Sequence, residues 1–143
     1  MAGEKVLLVD DEAQFVEAFS DRLAARGLAV EKAGNGLEAL EKVRTGSYDA
    51  VILDLFMPQI DGIETLKIML KDNPDLQVIL LTGQASLQKG IEAMKLGAMN
   101  FLEKPANIEK LMEQIREAKA NRMLLTNRRL EDKMSDILRT KGW

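Results

Sequence analysis

Residues 50–62 read AVILDLFMPQIDG, and this stretch decides the fold of the chain. Its first six residues form an apolar run that is interrupted by one carboxylate, Asp54. Short runs rich in Val, Ile and Leu, without alternating polar residues, are typical of strands that are buried on both faces of a parallel sheet. The stretch therefore predicts a central strand at residues 50–55 that carries an acidic side chain near its carboxyl end.

Four similar apolar runs lie on either side, at residues 6–9, 28–30, 78–81 and 99–102. Helical patterns separate the five runs, and strict alternation of strand and helix predicts an α/β fold with helices on both faces of a parallel sheet. Right-handed crossovers leave few topologies for five strands. We expect a doubly wound (βα)5 sheet in the flavodoxin-like order 2-1-3-4-5.

Each intervening segment has apolar residues three or four positions apart, as in an amphipathic helix. Gly27, Gly46 and Gly97 are placed to end helices, and Asp61 and Asn107 are placed to begin them. The apolar stripes at helical spacing are Phe15, Val16, Phe19 and Leu23; Leu37, Leu40 and Val43; Ile63, Leu66, Met69 and Leu70; Leu87, Ile91 and Met94; and Ile108, Leu111, Met112 and Ile115.

Composition excludes several classes of chemistry. The 143 residues fit one domain with a short extension, and 46% apolar with 30% charged residues indicate a globular chain. There are no cysteines and no histidines. Disulfides, thiol catalysis, a serine–histidine triad, a histidine-ligated zinc site and a phosphohistidine carrier are therefore excluded. The chemistry must use carboxylates, Lys, Ser, Thr, backbone groups or an added metal.

The charge is unevenly distributed along the chain. Residues 1–119 carry 14 Lys and Arg against 20 Asp and Glu, whereas residues 120–143 carry 6 against 3. An acidic body argues against direct binding of nucleic acid. The sequence shows no signal peptide, and no apolar run approaches the ~20 residues that a membrane span needs. We expect a cytoplasmic protein that does not interact with membranes.

Polar residues follow the predicted strands where parallel strands end at one edge of the sheet. Asp10, Asp11 and Glu12 follow the first strand, Asp54 lies near the end of the third, and Thr82 and Lys104 follow the fourth and fifth. In open parallel sheets, ligands bind at this edge. Clustered carboxylates repel one another at low dielectric, so Lys104 and a divalent cation are needed to offset them. An oxygen-only cluster with open coordination positions suits Mg²⁺.

This set of groups is suited to phosphoryl transfer. A carboxylate can act as a nucleophile and form an aspartyl phosphate, while Lys104, the Thr82 hydroxyl and Mg²⁺ contact the phosphoryl oxygens. The chain has no G-x-x-x-x-G-K-[ST] loop, so the donor must be another molecule. Two simpler interpretations stay open: the acidic run could cap the first helix, and Asp54 could be an ordinary loop residue.

The chain resembles the receiver domains of bacterial response regulators, the CheY-like domains of two-component systems. The order and spacing match from about residue 4 to residue 119, which would make residues 1–119 the receiver domain and residues 120–143 a helical extension. The combination of motifs is specific, although no single motif is. The matching motifs are Asp10-Asp11, the run DLFMPQIDG at residues 54–62, Thr82-Gly83 and Lys104-Pro105.

The resemblance implies a role for each matching residue. Asp54 would be the phosphoacceptor. Asp10 and Asp11 would hold Mg²⁺ together with Asp54 and the backbone carbonyl of Phe56. The donor would be a sensor histidine kinase or a phosphotransfer protein, and the downstream target is a protein that the sequence does not identify.

The resemblance also implies a conformational switch. Thr82 and Lys104 would contact the phosphoryl group, and Phe101 occupies the position of the family's aromatic switch residue. In that family, movement of the hydroxyl and the ring changes the surface formed by the fourth helix, fifth strand and fifth helix. The bond between Lys104 and Pro105 is expected to be cis. The alternative for Phe101 is plain core packing.

Two other functions compete with a signalling module that is not a classical enzyme. A phosphohydrolase of the haloacid-dehalogenase kind also uses an aspartate nucleophile and Mg²⁺, but it has a second Asp two residues later, where this chain has Phe56. A non-phosphorylated scaffold with the same fold would have lost Asp54, Lys104 or the acidic pair, and none of these is lost. The chain could also be the N-terminal receiver part of a larger regulator.

The C-terminal extension continues a helical pattern without Pro or Gly from residue 122 to residue 141. Met123, Leu130 and Ile137 repeat at seven, but Met123 comes eight residues after Ile115, which predicts a bend or a change of packing surface near residues 118–122. The extension could lengthen the fifth helix and form a homodimer, fold back on the receiver, or begin a linker. We favour a dimer-forming helix.

Overall fold

The computed structural model describes residues 3–57, 60–83 and 87–140. A five-stranded sheet forms its centre, and every neighbouring pair of strands is parallel. The strands lie in the order β2-β1-β3-β4-β5, so the predicted flavodoxin-like topology is confirmed. The strands are β1 (Lys5–Val9), β2 (Ala29–Ala33), β3 (Ala50–Leu53), β4 (Val78–Thr82) and β5 (Asn100–Glu103).

Five helices connect or follow the strands: α1 (Ala13–Ala25), α2 (Gly36–Thr45), α3 (Gly62–Asp72), α4 (Leu87–Leu96) and α5 (Ile108–Thr140). Two of the predicted caps are confirmed. The Asp61 side chain accepts a hydrogen bond from the backbone N–H of Glu64 at 2.9 Å, and the Asn107 side chain accepts one from the backbone N–H of Lys110 at 3.1 Å. These bonds satisfy N–H groups that have no partner inside the helix.

Each face of the sheet has its own hydrophobic core, because successive side chains of a strand point to opposite faces. Leu7, Val51 and Leu80 pack in one core with residues of α2, α3 and α4. Leu8 and Ile52 pack in the other core with residues of α1 and α5. All five strand residues are at most 1% exposed, which explains why the strand sequences are apolar without alternation.

Strand boundaries differ slightly from the predicted ones. β2 runs from Ala29 to Ala33 instead of residues 28–30, and β3 ends at Leu53 instead of residue 55. The shorter β3 has a local cause, because the backbone carbonyl of Leu55 accepts a hydrogen bond from the N–H of Gly62 at 3.0 Å and thus belongs to the connection with α3. Asp54 therefore lies immediately after the strand.

The apolar stripe that predicted α4 does not face the core. Leu87, Ile91 and Met94 are all exposed, and the buried residues of α4 are Gly90 and Ala93. In α2, Leu37 of the apolar stripe is likewise exposed. The apolar periodicity correctly identifies the helix, but it does not identify the face that is buried. The face with the small residues Gly90 and Ala93 is buried because it can pack more closely against the sheet. Leu87, Ile91 and Met94 are therefore not part of the buried core.

The C-terminal extension is a direct continuation of α5, which runs for 33 residues from Ile108 to Thr140. The predicted boundary at residue 119 thus falls inside one helix, and Ala118 is its last buried residue. Residues 141–143 of the extension, like Pro58 and Gln59 of the quoted stretch, lie outside the described residues. Among the described helices, none combines the length and apolar character that crossing a membrane requires.

Candidate functional site

Two neighbouring strands place carboxylates side by side at one edge of the sheet. Val9 of β1 is paired with Leu53 of β3, and Asp10 and Asp54 are the residues that directly follow the two strands. The backbone N–H of Asp54 donates to the carbonyl of Val9 at 3.0 Å, which keeps the two chains in register beyond the strand ends. Both aspartates are buried, at 2% and 6% exposure.

The next two strands bring the hydroxyl and the amine to the same edge. Leu80 of β4 is paired with Leu53, so Asp54 and Thr82 lie one and two residues beyond the same pair. The backbone N–H of Lys104 donates to the carbonyl of Thr82 at 2.8 Å. The gathering of Asp10, Asp54, Thr82 and Lys104 that the sequence predicted is therefore present in the structure.

Asp10, Asp11 and Asp54 form a cluster that fits a divalent cation. One carboxylate oxygen from each residue lies within 4.8 Å of the others, and the Asp11 side chain is exposed whereas the other two are buried. Three carboxylates and no nitrogen or sulfur ligand make a donor set that hard cations such as Mg²⁺ prefer. The exposed position of Asp11 leaves one side of the cluster open to solvent.

Lys104 is the cation that the structure places in this cluster. Its Nζ lies 2.7 Å from Oδ2 of Asp10, 3.6 Å from Oδ2 of Asp54 and 3.7 Å from Oε1 of Glu12. Burial by itself would lower the pKa of Lys104, but the hydrogen bond and charge of Asp10, together with the other two carboxylates, raise the pKa above its usual value. Lys104 therefore stays charged and offsets part of the acidic cluster.

The Asp54 carboxyl is in an environment that opposes its ionisation. Burial raises its pKa to about 6, and the charges of Asp10 and Asp11 contribute in the same direction. The hydrogen bond from the backbone N–H of Phe56 and the charge of Lys104 oppose this increase. A buried carboxylate whose pKa is raised has a strong electrostatic demand for a further positive charge, which a bound cation would satisfy.

The connection from β3 to α3 holds the backbone close to Asp54. The N–H of Phe56 donates to Oδ1 of Asp54 at 3.2 Å, so this residue is beside the carboxylate. A Cβ atom on Gly62 would lie 2.4 Å from Cα of Leu55 and 2.7 Å from the carbonyl oxygen of Asp54. Only glycine fits there, which explains why the quoted stretch ends in Asp-Gly.

Phe15 is a neighbour of the site that the sequence did not identify. The Nζ of Lys104 lies 4.4 Å from the centroid of the Phe15 ring, close enough for a cation–π interaction. Phe15 stacks on Phe19, with ring centroids 5.1 Å apart. In the sequence Phe15 belongs to the apolar stripe of α1, and this spacing carries no signal of contact with a residue 89 positions away.

Three further predictions concern the surroundings of the site. The Lys104–Pro105 peptide bond is cis, as expected. The Phe101 ring is partly buried and packs against the core on the α4 side of the sheet. The alternative that the acidic run caps α1 has little support, because the N-cap residue Glu12 makes no capping hydrogen bond with its side chain, and Asp10 instead accepts the N–H of Glu12 at 2.9 Å.

The sequence model of the response regulator receiver domain matches residues 6–116 of this chain. The chain is 40% identical over 126 residues to the transcriptional regulatory protein ZraR of Klebsiella oxytoca, a match that covers 87% of this chain and 28% of ZraR. It is 35% identical over 112 residues to the response regulator MprA of Mycobacterium leprae, covering 78% of this chain and 49% of MprA.

Solved structures agree with the sequence comparisons. A response regulator receiver domain protein from Clostridium thermocellum superposes with a TM-score of 0.82 at 34% identity, covering 86% of this chain and 99% of that one. The present chain spans between about a quarter and a half of the length of these two curated relatives, since the covered shares are 28% and 49%. The residues that match the family model, 6–116, include Asp10, Asp11, Asp54, Thr82 and Lys104.

Proposed function

This chain belongs to the response regulator receiver domain family of two-component systems, and because it does, we propose that it is a signalling module which accepts a phosphoryl group on Asp54. The observation that carries the proposal is the position of this buried carboxylate within 3.6 Å of the Lys104 amine and within 4.8 Å of the oxygens of Asp10 and Asp11. Such a site supplies a nucleophile, a fixed cation and a place for a metal ion at one point.

In the proposed reaction an Asp54 carboxylate oxygen attacks the phosphorus of a phosphohistidine on a sensor histidine kinase or phosphotransfer protein. A P–O bond forms, the P–N bond breaks, and the imidazole leaves with a proton. Lys104 binds one of the phosphoryl oxygens and the Thr82 hydroxyl binds another. The same residues would later orient water for slow dephosphorylation, so the chain's own chemistry is limited to gaining and losing the phosphoryl group.

Asp10, Asp11, Asp54 and the Phe56 carbonyl would hold Mg²⁺. Bound there, Mg²⁺ supplies positive charge to the phosphoryl oxygens and offsets the repulsion between the carboxylates. The raised pKa of Asp54 supports this assignment, because an ionised Asp54 needs more positive charge than Lys104 provides. The backbone N–H of Phe56 donates to Oδ1 of Asp54, which places the Phe56 backbone beside the cluster and supports a role for its carbonyl.

Phosphorylation would be read at the surface formed by α4, β5 and α5, with Thr82 and Phe101 as the switch residues. A new phosphoryl group shifts a conformational equilibrium only through contacts that differ between two states, and Thr82 is the residue that can gain such a contact. The exposed apolar residues Leu87, Ile91 and Met94 of α4 support a protein-binding role for this surface. The target is a downstream protein or an output domain in a longer chain.

A phosphohydrolase of the haloacid-dehalogenase kind is the less favoured alternative. The residue that would have to be its general acid is Phe56, whose side chain is 48% exposed and carries no proton to donate. Turnover of small phosphate esters would favour the hydrolase.

The direct test is incubation with Mg²⁺ and a small phosphodonor such as acetyl phosphate, followed by intact mass measurement. We expect one acid-stable, base-labile phosphoryl group on the wild type and none on Asp54→Asn. Asp72→Asn is the matched control, because Asp72 is an exposed carboxylate that pairs only with Arg44 among the described residues. Wild type that stays unmodified, or Asp54→Asn that is modified, would contradict the proposal.

A further inference from the structure

The C-terminal part of α5 exposes an unusual share of the molecule's apolar side chains. Six of the twelve exposed large hydrophobic residues among the described positions lie within residues 123–138. Exposed apolar residues that lie together on one helix mark an interaction surface more often than scattered single ones do. The six residues are Met123, Leu124, Leu130, Met134, Ile137 and Leu138.

Polar contacts hold another face of the same helix against the receiver. The guanidinium group of Arg122 donates to Oδ1 of Asp49 at 3.1 Å, and Arg129 forms an ion pair with Asp75. Asp49 directly precedes β3 and Asp75 precedes β4, so both contacts lie at the sheet edge opposite Asp54. The helix is therefore held in one orientation as far as Arg129, more than ten residues beyond its last buried residue, Ala118.

The anchored face and the apolar face lie on different sides of the helix. With 3.6 residues per turn, the direction of Arg122 and Arg129 is roughly 110° away from the direction shared by Met123, Leu130 and Met134. The apolar face thus lies to one side of the anchored face. At its start Met123 and Asn127 border a cavity beside Asp49 and Arg122, whereas Leu130, Met134 and Ile137 are exposed. Turning this face onto the receiver would require the helix to rotate by roughly 110° and both ion pairs to break.

The spacing of the apolar face is that of a coiled-coil seam. Starting at Met123, successive steps of four, three, four and three residues give alternating d and a positions of a heptad repeat. Leu130 is the central residue of this seam. One polar residue, Asn127, lies at an a position of this seam. The seam consists of Met123, Asn127, Leu130, Met134 and Ile137.

We propose that residues 123–138 pair with the same segment of a second copy of this chain, as a parallel, in-register, two-stranded coiled coil. Asn127 specifies the arrangement, because only the parallel in-register pair places two copies of this amide opposite each other, where they can hydrogen-bond. An antiparallel pair would place the amide against apolar side chains, where a polar group without a partner is costly.

The charges beside the seam are compatible with this pairing. The flanking positions carry Lys133 on one side of the seam and Glu131 on the other, so a parallel pair sets no two like charges directly against each other. The segment is short for a coiled coil, since its 16 residues extend about 24 Å. We therefore expect a reversible dimer whose population depends on concentration. The proposal does not depend on phosphorylation of Asp54.

The first test is sedimentation equilibrium of the unphosphorylated full chain over a wide range of concentration. We expect the wild type to change from monomer to dimer as concentration rises, and Leu130→Glu to raise the dissociation constant at least about tenfold. Ser135→Glu is the matched control, because it introduces the same charge at an exposed position of the same helix outside the seam. It should change the dissociation constant by less than about threefold.

The second test determines orientation, using the absence of cysteine in the chain. Met123→Cys and Ile137→Cys place a thiol near either end of the seam. In a parallel dimer each variant forms a disulfide-linked dimer by itself. Cross-linking that occurs only when the two variants are mixed would overturn the parallel arrangement.

Two outcomes of the first test would overturn the dimer itself. One is a wild type that stays monomeric at every concentration, and the other is an equal effect of Leu130→Glu and Ser135→Glu. The wild-type mass could stay constant as concentration rises while Leu130→Glu lowers the free energy of unfolding. This combination would show that the apolar face packs within one molecule. Circular dichroism of both variants verifies that the helix is retained.

Discussion

Asp54 combines burial with a network of charges, and the balance between them sets its protonation. Burial and the two neighbouring aspartates raise its pKa, whereas Lys104 and the N–H of Phe56 lower it. The net effect is a pKa of about 6 against a usual value of 3.8. In the absence of a metal ion, the ionised carboxylate is therefore less favourable in the folded protein than in the unfolded chain.

This imbalance predicts a pH-dependent effect of Asp54→Asn. Because the folded-state pKa is raised, the native state binds more protons than the unfolded state between about pH 4 and pH 6, and stability falls as pH rises through this window. Asn keeps the size and the acceptor oxygen but has no charge. Without divalent cations at pH 7.5, we expect the free energy of unfolding of Asp54→Asn to be on the order of 2 kcal/mol higher than that of the wild type.

Urea unfolding of both proteins in the presence of a chelator measures this difference. Near pH 4 the wild-type carboxyl is protonated in the folded state, so the two free energies of unfolding should converge. A difference that stays the same at pH 4 and pH 7.5 would mean that the charge of Asp54 is not its cause.

At the scale of elements, α4 shows how a small residue can set the position of a larger one. A Cβ atom on Gly90 would lie 3.1 Å from Cδ2 and Cε2 of the Phe101 ring, which is closer than normal packing allows. Glycine in the middle of a helix is otherwise unfavourable by roughly 0.5–1 kcal/mol relative to alanine. The space left by Gly90 therefore accommodates the ring of the proposed switch residue against α4.

Gly90→Ala should consequently have opposite effects in two backgrounds. In the wild type the added methyl group pushes against the Phe101 ring and cancels or outweighs the gain in helix propensity. In the Phe101→Leu background the ring is absent, and we expect Gly90→Ala to stabilise the protein by roughly 0.5–1 kcal/mol.

A double-mutant cycle, measured by urea unfolding of the four proteins, gives the coupling between the two positions. Gly90→Ala could change the free energy of unfolding equally with Phe and with Leu at position 101. That result would indicate that the Phe101 ring is not held by its contact with Gly90.

At the scale of the whole molecule, the acidic cluster links cation binding to folding. Asp10 and Asp54 meet only because β1 and β3 are paired, so the complete cluster exists in the folded state and not in the unfolded chain. A ligand that binds only the folded state raises the free energy of unfolding, by about 2.7 kcal/mol when its concentration is one hundred times its dissociation constant.

We therefore expect Mg²⁺ to raise the thermal unfolding temperature of the wild type in a saturable way at neutral pH. The effect should weaken below about pH 6, where protonation of Asp54 competes with the cation. Asp11→Asn should greatly reduce the shift, since it removes a carboxylate of the cluster that is exposed and so costs little packing.

Thermal unfolding followed by circular dichroism at increasing Mg²⁺ gives these shifts, and Asp72→Asn again provides the control outside the site. A shift of equal size in the wild type and in Asp11→Asn would place the cation elsewhere.

The sequence by itself determined the alternation of strands and helices, the parallel sheet and the edge at which Asp10, Asp54, Thr82 and Lys104 meet. These follow from local patterns: runs such as residues 50–53 can be buried on both faces, and parallel strands bring their carboxyl ends to one edge. The sequence also placed the cis bond before Pro105, through its resemblance to receiver domains.

Only the tertiary structure decided which apolar helix faces are buried and what surrounds the site. Leu87, Ile91 and Met94 have helical spacing but remain exposed, because Gly90 and Ala93 allow the closer approach to the sheet. The contact of Phe15 with Lys104, the raised pKa of Asp54 and the exposure of the α5 seam depend on residues that are distant in the chain. A local pattern shows that a side chain can be buried or charged, whereas its actual neighbours are set by how the elements pack.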